Sequence, residues 1–398
     1  MKTAKVVIGA NFGDEGKGLT TDFFCAESAG DAVVVRFNGG AQAGHTVVTP
    51  DGVRHVFSHF GSGSFTGAET FLSRFFVCNP LLFAKEHAVL APKCAIPPLH
   101  ADAGAPVTTP YDMMINQMAE EARGAGRHGS CGMGFGETLE RHENGLQITC
   151  ADLADAGALR LKLKSVREHW MPQRLSKLGL SAVPEKWQER IASDGILEKY
   201  IDDTALFLQL VTVEQPDYLE KTEKPIVFEG AQGLLLAEDH RWFPHVTRSA
   251  TGLKNVLLLA EQAGIGQLDV AYITRAYLTR HGAGPMPHEL GKLPYPRITD
   301  ATNVHNDWQG SLRFGWLELD LLAETIRDDL ARNTSPVKVN HGISVTCLDQ
   351  LDGEATVAES DKLSQVAADK LPALIRQRTG ASFLIESCGP SRSSVSRA

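Results

Sequence analysis

Three glycine-rich segments, each closing a short apolar run, carry the side chains best suited to phosphate chemistry: Lys17, His45 and Gln232. The first is Gly9-Ala10-Asn11-Phe12-Gly13-Asp14-Glu15-Gly16-Lys17-Gly18, between Val6-Val7-Ile8 and a helical pattern. Glycines let backbone N–H groups approach phosphate oxygens, and a helix N-terminus adds the positive end of its dipole. Lys17 supplies a mobile point charge. The segment is not a Walker A motif, because Asn11 stands where the first glycine belongs and Gly18 replaces the Ser/Thr. The second segment, Asn38-Gly39-Gly40-Ala41-Gln42-Ala43-Gly44-His45-Thr46, sets a histidine at a strand-to-loop turn, where open parallel sheets place ligands. The third, Phe228-Glu229-Gly230-Ala231-Gln232-Gly233, offers an amide that can hydrogen-bond a carbonyl oxygen without adding charge.

Such residues need strands that end side by side. Apolar runs at 6–8, 32–37, 226–228, 268–273, 343–346 and 382–385 show no alternation, as expected of parallel strands buried on both faces. Helical patterns at 19–27, 113–122, 159–178, 317–330 and 362–379 fill the gaps, the last with Leu363, Val366, Leu371 and Ile375 on one face. Residues 95–110 read as a Pro-rich connection. This order predicts an α/β fold: a large, mainly parallel β-sheet flanked by helices, in one domain over 1–398, with a helical lobe at 155–222.

The 398 residues carry 39 Lys+Arg against 48 Asp+Glu, a formal charge of −9, with 43% hydrophobic and 22% charged residues. That composition excludes a disordered or fibrous chain, and the acidic balance excludes a basic nucleic-acid coat. Nucleotide phosphates remain open to it wherever cations and N–H groups are concentrated locally. Seven scattered cysteines (Cys25, Cys78, Cys94, Cys131, Cys150, Cys347 and Cys388) form no C-x-x-C pair and point to a reducing cytosol. No apolar run approaches the roughly 20 residues of a membrane span, so neither a membrane nor a nucleic acid is expected as partner.

Five motifs in order resemble those of adenylosuccinate synthetases: Gly-Asp-Glu-Gly-Lys-Gly (13–18), Gly-Gly-x-x-Ala-Gly-His-Thr (39–46), Phe-Glu-Gly-Ala-Gln-Gly (228–233), Thr-Arg-x-Gly-Ala-Gly-Pro (279–285) and Gly-Trp-Leu (315–317). The resemblance runs from Val6 to Gly389-Pro390. It implies a fold related to P-loop NTPases and a ligase that joins L-aspartate to C6 of a 6-oxopurine nucleotide, using a nucleoside triphosphate and Mg²⁺. In the implied reaction a carboxylate takes the N1 proton, O6 attacks the γ-phosphate, and the aspartate amine displaces the 6-phosphoryl group. Carried over by motif, Asp14 is the base and a metal ligand. His45 is the acid on the transferring phosphoryl, the Gly44 carbonyl is a second metal ligand, and Gln232 holds O6. The triphosphate falls to Gly13, Glu15, Gly16, Lys17, Gly18, Gly44, Thr46, Asp349, Gly389 and Pro390. The purine monophosphate falls to Asn38, Gln42, Ser130, Arg141, Gln232 and Thr247, and the aspartate to Thr302 and Arg313. A cytoplasmic homodimer is implied, in a host's cytoplasm for a viral member.

Departures from the family concern specificity. The usual Thr-Lys-Leu-Asp that reads the guanine of GTP is Thr346-Cys347-Leu348-Asp349, so the lysine that packs along the base is gone while Asp349 can still accept from an exocyclic amine. This opens ATP beside GTP. The aspartate loop is longer, with His305, Asn306, Asp307 and Trp308, and keeps Arg313 where the family has several arginines. Ser311 or Leu312 falls where a family arginine lies near the ribose 2′-hydroxyl. At the monophosphate, Ser130-Cys131-Gly132-Met133-Gly134 and Glu143-Asn144-Gly145-Leu146 replace Thr-Thr-Gly-Arg-Gly and Arg-Arg-Gly-Leu. Arg141 is left either as the phosphate's cation or as a surface residue. These changes resemble the viral branch that acts on dGMP, and dGMP is preferred to IMP as acceptor. Asp14 weighs the other way, since some viral members replace it. A non-catalytic nucleotide sensor on the same fold is the alternative of another class.

Overall fold

A computed structural model describes every residue except 125–129, 181, 300–302, 304–309 and 361. Ten of its strands form the main sheet: β1 (Lys2–Gly9), β2 (Val33–Arg36), β3 (Glu69–Leu72), β4 (Leu99–Asp102), β5 (Val211–Glu214), β6 (Ile226–Gly233), β7 (Ile265–Arg275), β8 (Lys338–Thr346), β9 (Phe383–Ser387) and β10 (Val395–Arg397). Their order is β10-β9-β8-β7-β1-β6-β2-β3-β4-β5, parallel throughout except for β10, which runs antiparallel to β9. β1 lies centrally, with Val6 opposite both Phe228 of β6 and Val270 of β7. Val6, Val7 and Ile8 are wholly buried, which is why no alternation shows in their sequence. The expected mainly parallel α/β sheet is therefore observed.

Helix α1 (Lys17–Ala26) starts directly after the first glycine-rich segment, with Gly16 as its N-cap at φ 94° and no side chain capping its free N–H groups. Such an end is open to an anion. Helix α2 (Pro110–Arg123) is started by a capping box between Thr109 and Asp112, with proline in its first turn. Helix α3 (Phe135–Glu143) follows. Helices Ala156–Ser165, Met171–Lys177, Glu185–Ala192 and Asp194–Leu210 precede β5; Trp170, in the turn Val166–Trp170 between the first two, shares a second core with Trp187, Tyr200, Phe207, Phe83 and Ile115. None of the described helices is long and apolar enough to cross a membrane.

Two sequence readings are corrected. The stretch read as one helix over 362–379 is a strand, Lys362–Ala367, followed by a helix, Leu371–Thr379. The strand pairs antiparallel with Glu354–Glu359, and Leu363 is left exposed instead of facing a core. The stretch 95–110 contains β4, wedged between β3 and β5.

Candidate active site

The carboxyl ends of β1, β2, β6, β7 and β8 converge on a cleft of about 880 Å³. Gly13 to Gly18, Gln42 to Thr46, Ser130, Gln232, Thr247 and Pro390 all line it. The glycine-rich loop is pinned at its base by the neighbouring strands. Ala10 N donates to Ile273 O at 2.8 Å, Asn11 Nδ2 to Thr274 Oγ1 at 3.0 Å, and Thr346 Oγ1 to Glu15 O at 2.8 Å. Only glycine fits at 233, because a Cβ there would lie 2.2 Å from Asn11 O. Asp14 and Gln232 both adopt left-handed backbone, φ 56° and 64°. For a non-glycine residue that conformation costs of order 1–3 kcal/mol and is concentrated at functional sites.

His45 donates from Nδ1 to Glu229 Oε1 at 2.7 Å, and Ser62 N donates to Glu229 Oε2 at 3.1 Å. Arg36 Nε lies 3.9 Å from the same carboxylate. Burial works to raise the Glu229 carboxyl, but the charges of His45 and Arg36 and the hydrogen bonds of His45 and Ser62 outweigh it and hold it at about 2. Burial also lowers His45, against the pull of Glu229. His45 Nε2, Gln42 Nε2 and Glu15 Oε2 are buried without a hydrogen-bond partner, which marks places for a ligand.

Asp14 takes a contact from His281 Nε2 at 3.1 Å on Oδ2. Burial would raise Asp14, but the hydrogen bond and charge of His281, with Arg275 and Lys17, bring it below the ordinary carboxylate value. Burial pushes Glu15 up to about 7 against the attraction of Lys17, and lowers Lys17 against the charges of Glu15, Asp14 and Glu229. Asp14 and Gly44, the metal ligands that the family resemblance implies, both line the cleft. The described residues contain no cluster of three His, Cys, Asp or Glu that could hold a metal alone, and Mg²⁺ commonly takes one or two carboxylates, with phosphates and water completing the shell.

Several expected residues are placed elsewhere. Arg141 is neither in the cleft nor on the surface: it is wholly buried, with Nε and Nη2 at 2.9 Å from the two Asp112 oxygens and further bonds to Val107 O and Leu146 O. Every guanidinium nitrogen is engaged, so no phosphate can use it. Replacing Arg141 by methionine is expected to destabilise the fold by about 3–5 kcal/mol, because Asp112 is left as an uncompensated buried charge. Urea denaturation reads that loss, and an unchanged KM for the monophosphate separates it from a binding role. Arg313 grips Glu289 through Nε at 2.7 Å and Nη2, and donates from Nη1 to Gly282 O and Gly284 O at 2.9 Å. It does not line the cleft. Asn38 stitches Ala231 to Ala250, with Nδ2 donating to Ala231 O at 3.1 Å and Ala250 O at 3.0 Å. Asp349 is exposed and Gly389 packs against Ser394, while their neighbours Cys347, Gln350 and Pro390 line the cleft. Thr302, His305, Asn306, Asp307 and Trp308 lie outside the described residues.

Other cations line the cleft. Lys17, Arg54, Arg123, Arg248, Arg275 and Arg280 line the cleft against Asp14, Glu15, Glu120 and Glu137, so a locally positive site sits within an acidic chain. Arg248 pairs with Glu140 and Glu143, and Arg123 with Glu120. Arg280 instead donates to His245 O at 2.7 Å and Pro285 O at 2.6 Å and stacks 4.7 Å from the Phe12 ring centroid. Burial, with Arg313 nearby, lowers Arg280 to about 10, which leaves it charged at neutral pH. Arg275 donates to Asp14 O and to Tyr277 Oη. Glu229, Arg280 and His281 lie inside the recognised motifs, and Arg275 lies two residues beyond the apolar run 268–273, so their positions were visible although their roles were not. Arg54, Arg123 and Arg248 gave no signal.

A parallel sheet whose strand ends carry a glycine-rich loop, an uncapped helix N-terminus, a buried His–Glu pair and an Asp–His pair defines a nucleotide-binding α/β enzyme. Residues 6–391 match the family described as adenylosuccinate synthetase. Curated adenylosuccinate synthetases are similar in sequence: that of Marinomonas sp. (strain MWYL1) is 31% identical, and that of Anaeromyxobacter sp. (strain Fw109-5) 33%, each match covering 88% of this chain and 78% of the relative. The chain belongs to the adenylosuccinate synthetase family and is a C–N bond-forming ligase that joins aspartate to a purine nucleotide. The fold is shared with fully ligated adenylosuccinate synthetase from Plasmodium falciparum, at TM-score 0.73 and 17% identity over 98% of this chain and 99% of that one. It is also shared with the cyanophage S-2L succinoaminodeoxyadenylate synthetase bound to dGMP and dATP, at TM-score 0.60 and 15% identity over 100% and 95%.

Proposed function

We propose that this ligase joins L-aspartate to C6 of dGMP using ATP, yielding 2-amino-2′-deoxy-N6-succinyladenylate, ADP and phosphate. Asp14 takes the N1 proton of the purine, and Gln232 holds O6 as it becomes an oxyanion. O6 attacks the γ-phosphate, with His45 on the transferring group and Lys17 and the α1 N-terminus over the phosphates. The aspartate amine then displaces the 6-phosphoryl group as phosphate. Mg²⁺, bound by the Asp14 carboxylate and the Gly44 carbonyl, would supply charge neutralisation on the triphosphate.

The observation that carries the acceptor is the loss of family cations: Cys347 lines the cleft where the base-packing lysine belongs, and Ser311 or Leu312 falls where a family arginine lies near the ribose 2′-hydroxyl. The phage synthetase of similar fold, bound to dGMP and dATP, supports the same choice. IMP with GTP is the second reading, favoured by Asp14 and by the curated bacterial relatives. A homodimer is part of the proposal and is read by light scattering.

The test offers purified protein IMP, GMP, dIMP and dGMP in turn, with aspartate and either ATP or GTP, and follows succinyl-nucleotide formation. Product formed fastest from dGMP with ATP is the expected result. Preference for IMP overturns the acceptor, and no product from any of them overturns the ligase reading.

A further inference from the structure

The Thr279–Pro285 motif has no part in the chemistry above, yet it ties three segments together. Arg280 bolts it to the glycine-rich loop through Phe12 and to the segment before Thr247 through His245 O. Arg313 holds its far side at Gly282 O and Gly284 O. On this anchored loop His281 Nε2 lies 3.1 Å from Asp14 Oδ2 and 3.0 Å from Asn303 Oδ1. Both neighbours are acceptor oxygens, so Nε2 carries the proton and one N–H serves two acceptors. Asn303 belongs to the segment that resembles the family's aspartate loop, and both His281 and Asn303 line the cleft.

We propose that His281 is a positioning residue that couples the aspartate-binding segment to the base, through one Nε2–H shared between Asn303 and Asp14. The proposal rests on the ligase reading with Asp14 as base. A shared donor holds each acceptor less firmly than an undivided one, so whatever moves the Asn303 oxygen changes the grip on the Asp14 carboxylate. The aspartate site and the proton-transfer site thereby communicate through a single hydrogen atom.

Two measurements test this. In protein carrying ¹⁵N-labelled histidine, without substrates, His281 is expected as the Nε2–H tautomer, with a resonance that moves in both Asn303→Ala and Asp14→Asn. In turnover, His281→Leu is expected to lower kcat about 10- to 100-fold, and His281→Gln, which keeps an N–H at that place, to recover most of it. Asn303→Ala should change the KM for aspartate when His281 is present and leave it unchanged in the His281→Leu background, a non-additivity that separate sites do not show. An unprotonated Nε2, equal kcat in His281→Leu and the parent, or additive effects of the two substitutions would each overturn the proposal. The resonance is read without turnover, so an inactive parent protein refutes the ligase reading while the His281 contact is judged independently.

Discussion

Asp14→Asn is expected to lower kcat by about 10²- to 10⁴-fold, the range contributed by a positioned acid or base. Asparagine keeps the size of the side chain and an oxygen for His281, so the contact at 3.1 Å has a replacement acceptor. What it loses is the capacity to take the N1 proton and the negative charge that faces Lys17 and Arg275. Without N1 deprotonation O6 stays a carbonyl oxygen and attacks phosphorus poorly. The measurement is steady-state succinyl-nucleotide formation, together with positional isotope exchange in the triphosphate without aspartate, which isolates the first step. A variant within tenfold of the parent in both would remove Asp14 as the base.

The second large effect is at Glu229, whose buried carboxylate pairs with both His45 and Arg36. Glu229→Gln is expected to cost about 3 kcal/mol of stability at neutral pH, the free energy that corresponds to a carboxyl held near 2 in place of 4.5. The dependence on pH has a definite sign. A carboxyl depressed on folding stabilises above its unfolded value, so the gap between parent and variant is full above about pH 4.5 and closes as pH falls towards 2. Urea titrations at several pH values read it. Activity should fall as well, because burial disfavours the charged imidazole and Glu229 is the group that opposes this. A loss of about 100-fold in kcat would match the low end of general acid catalysis. An unchanged rate and a pH-independent stability gap would show that the pair is dispensable.

Much of this site was legible in the residues, for a local reason. A glycine-rich turn between a strand and a helix is a contiguous device, and Gly13 to Gly18 occupy the cleft as the motif implied. His45 and Gln232 also reach it from the segments that close strands, and Thr247 reaches it from the irregular stretch that follows β6. The failures share one cause. Arg141 was assigned by its distance along the chain from a family arginine, but its environment is set by Asp112, 29 positions earlier. Residues 362–367 were read as helix from apolar spacing that a short hairpin strand also satisfies, and the decision came from pairing with 354–359. Glu229 was read as part of a turn, because its meaning lies in His45, 184 positions away.

The order of motifs suffices for the resemblance to this ligase family, and the unalternating apolar runs for a parallel α/β sheet, since each is written in contiguous residues. Which cations line the cleft was decided only on folding. The cleft draws on Arg54, Arg123, Arg248, Arg275 and Arg280, whereas Arg141 and Arg313 are consumed by Asp112 and Glu289. Whether a guanidinium lines the cleft or is turned away from it depends on the carboxylates and carbonyls within its hydrogen-bond reach, and that reach is a property of strands and helices packed across the sheet.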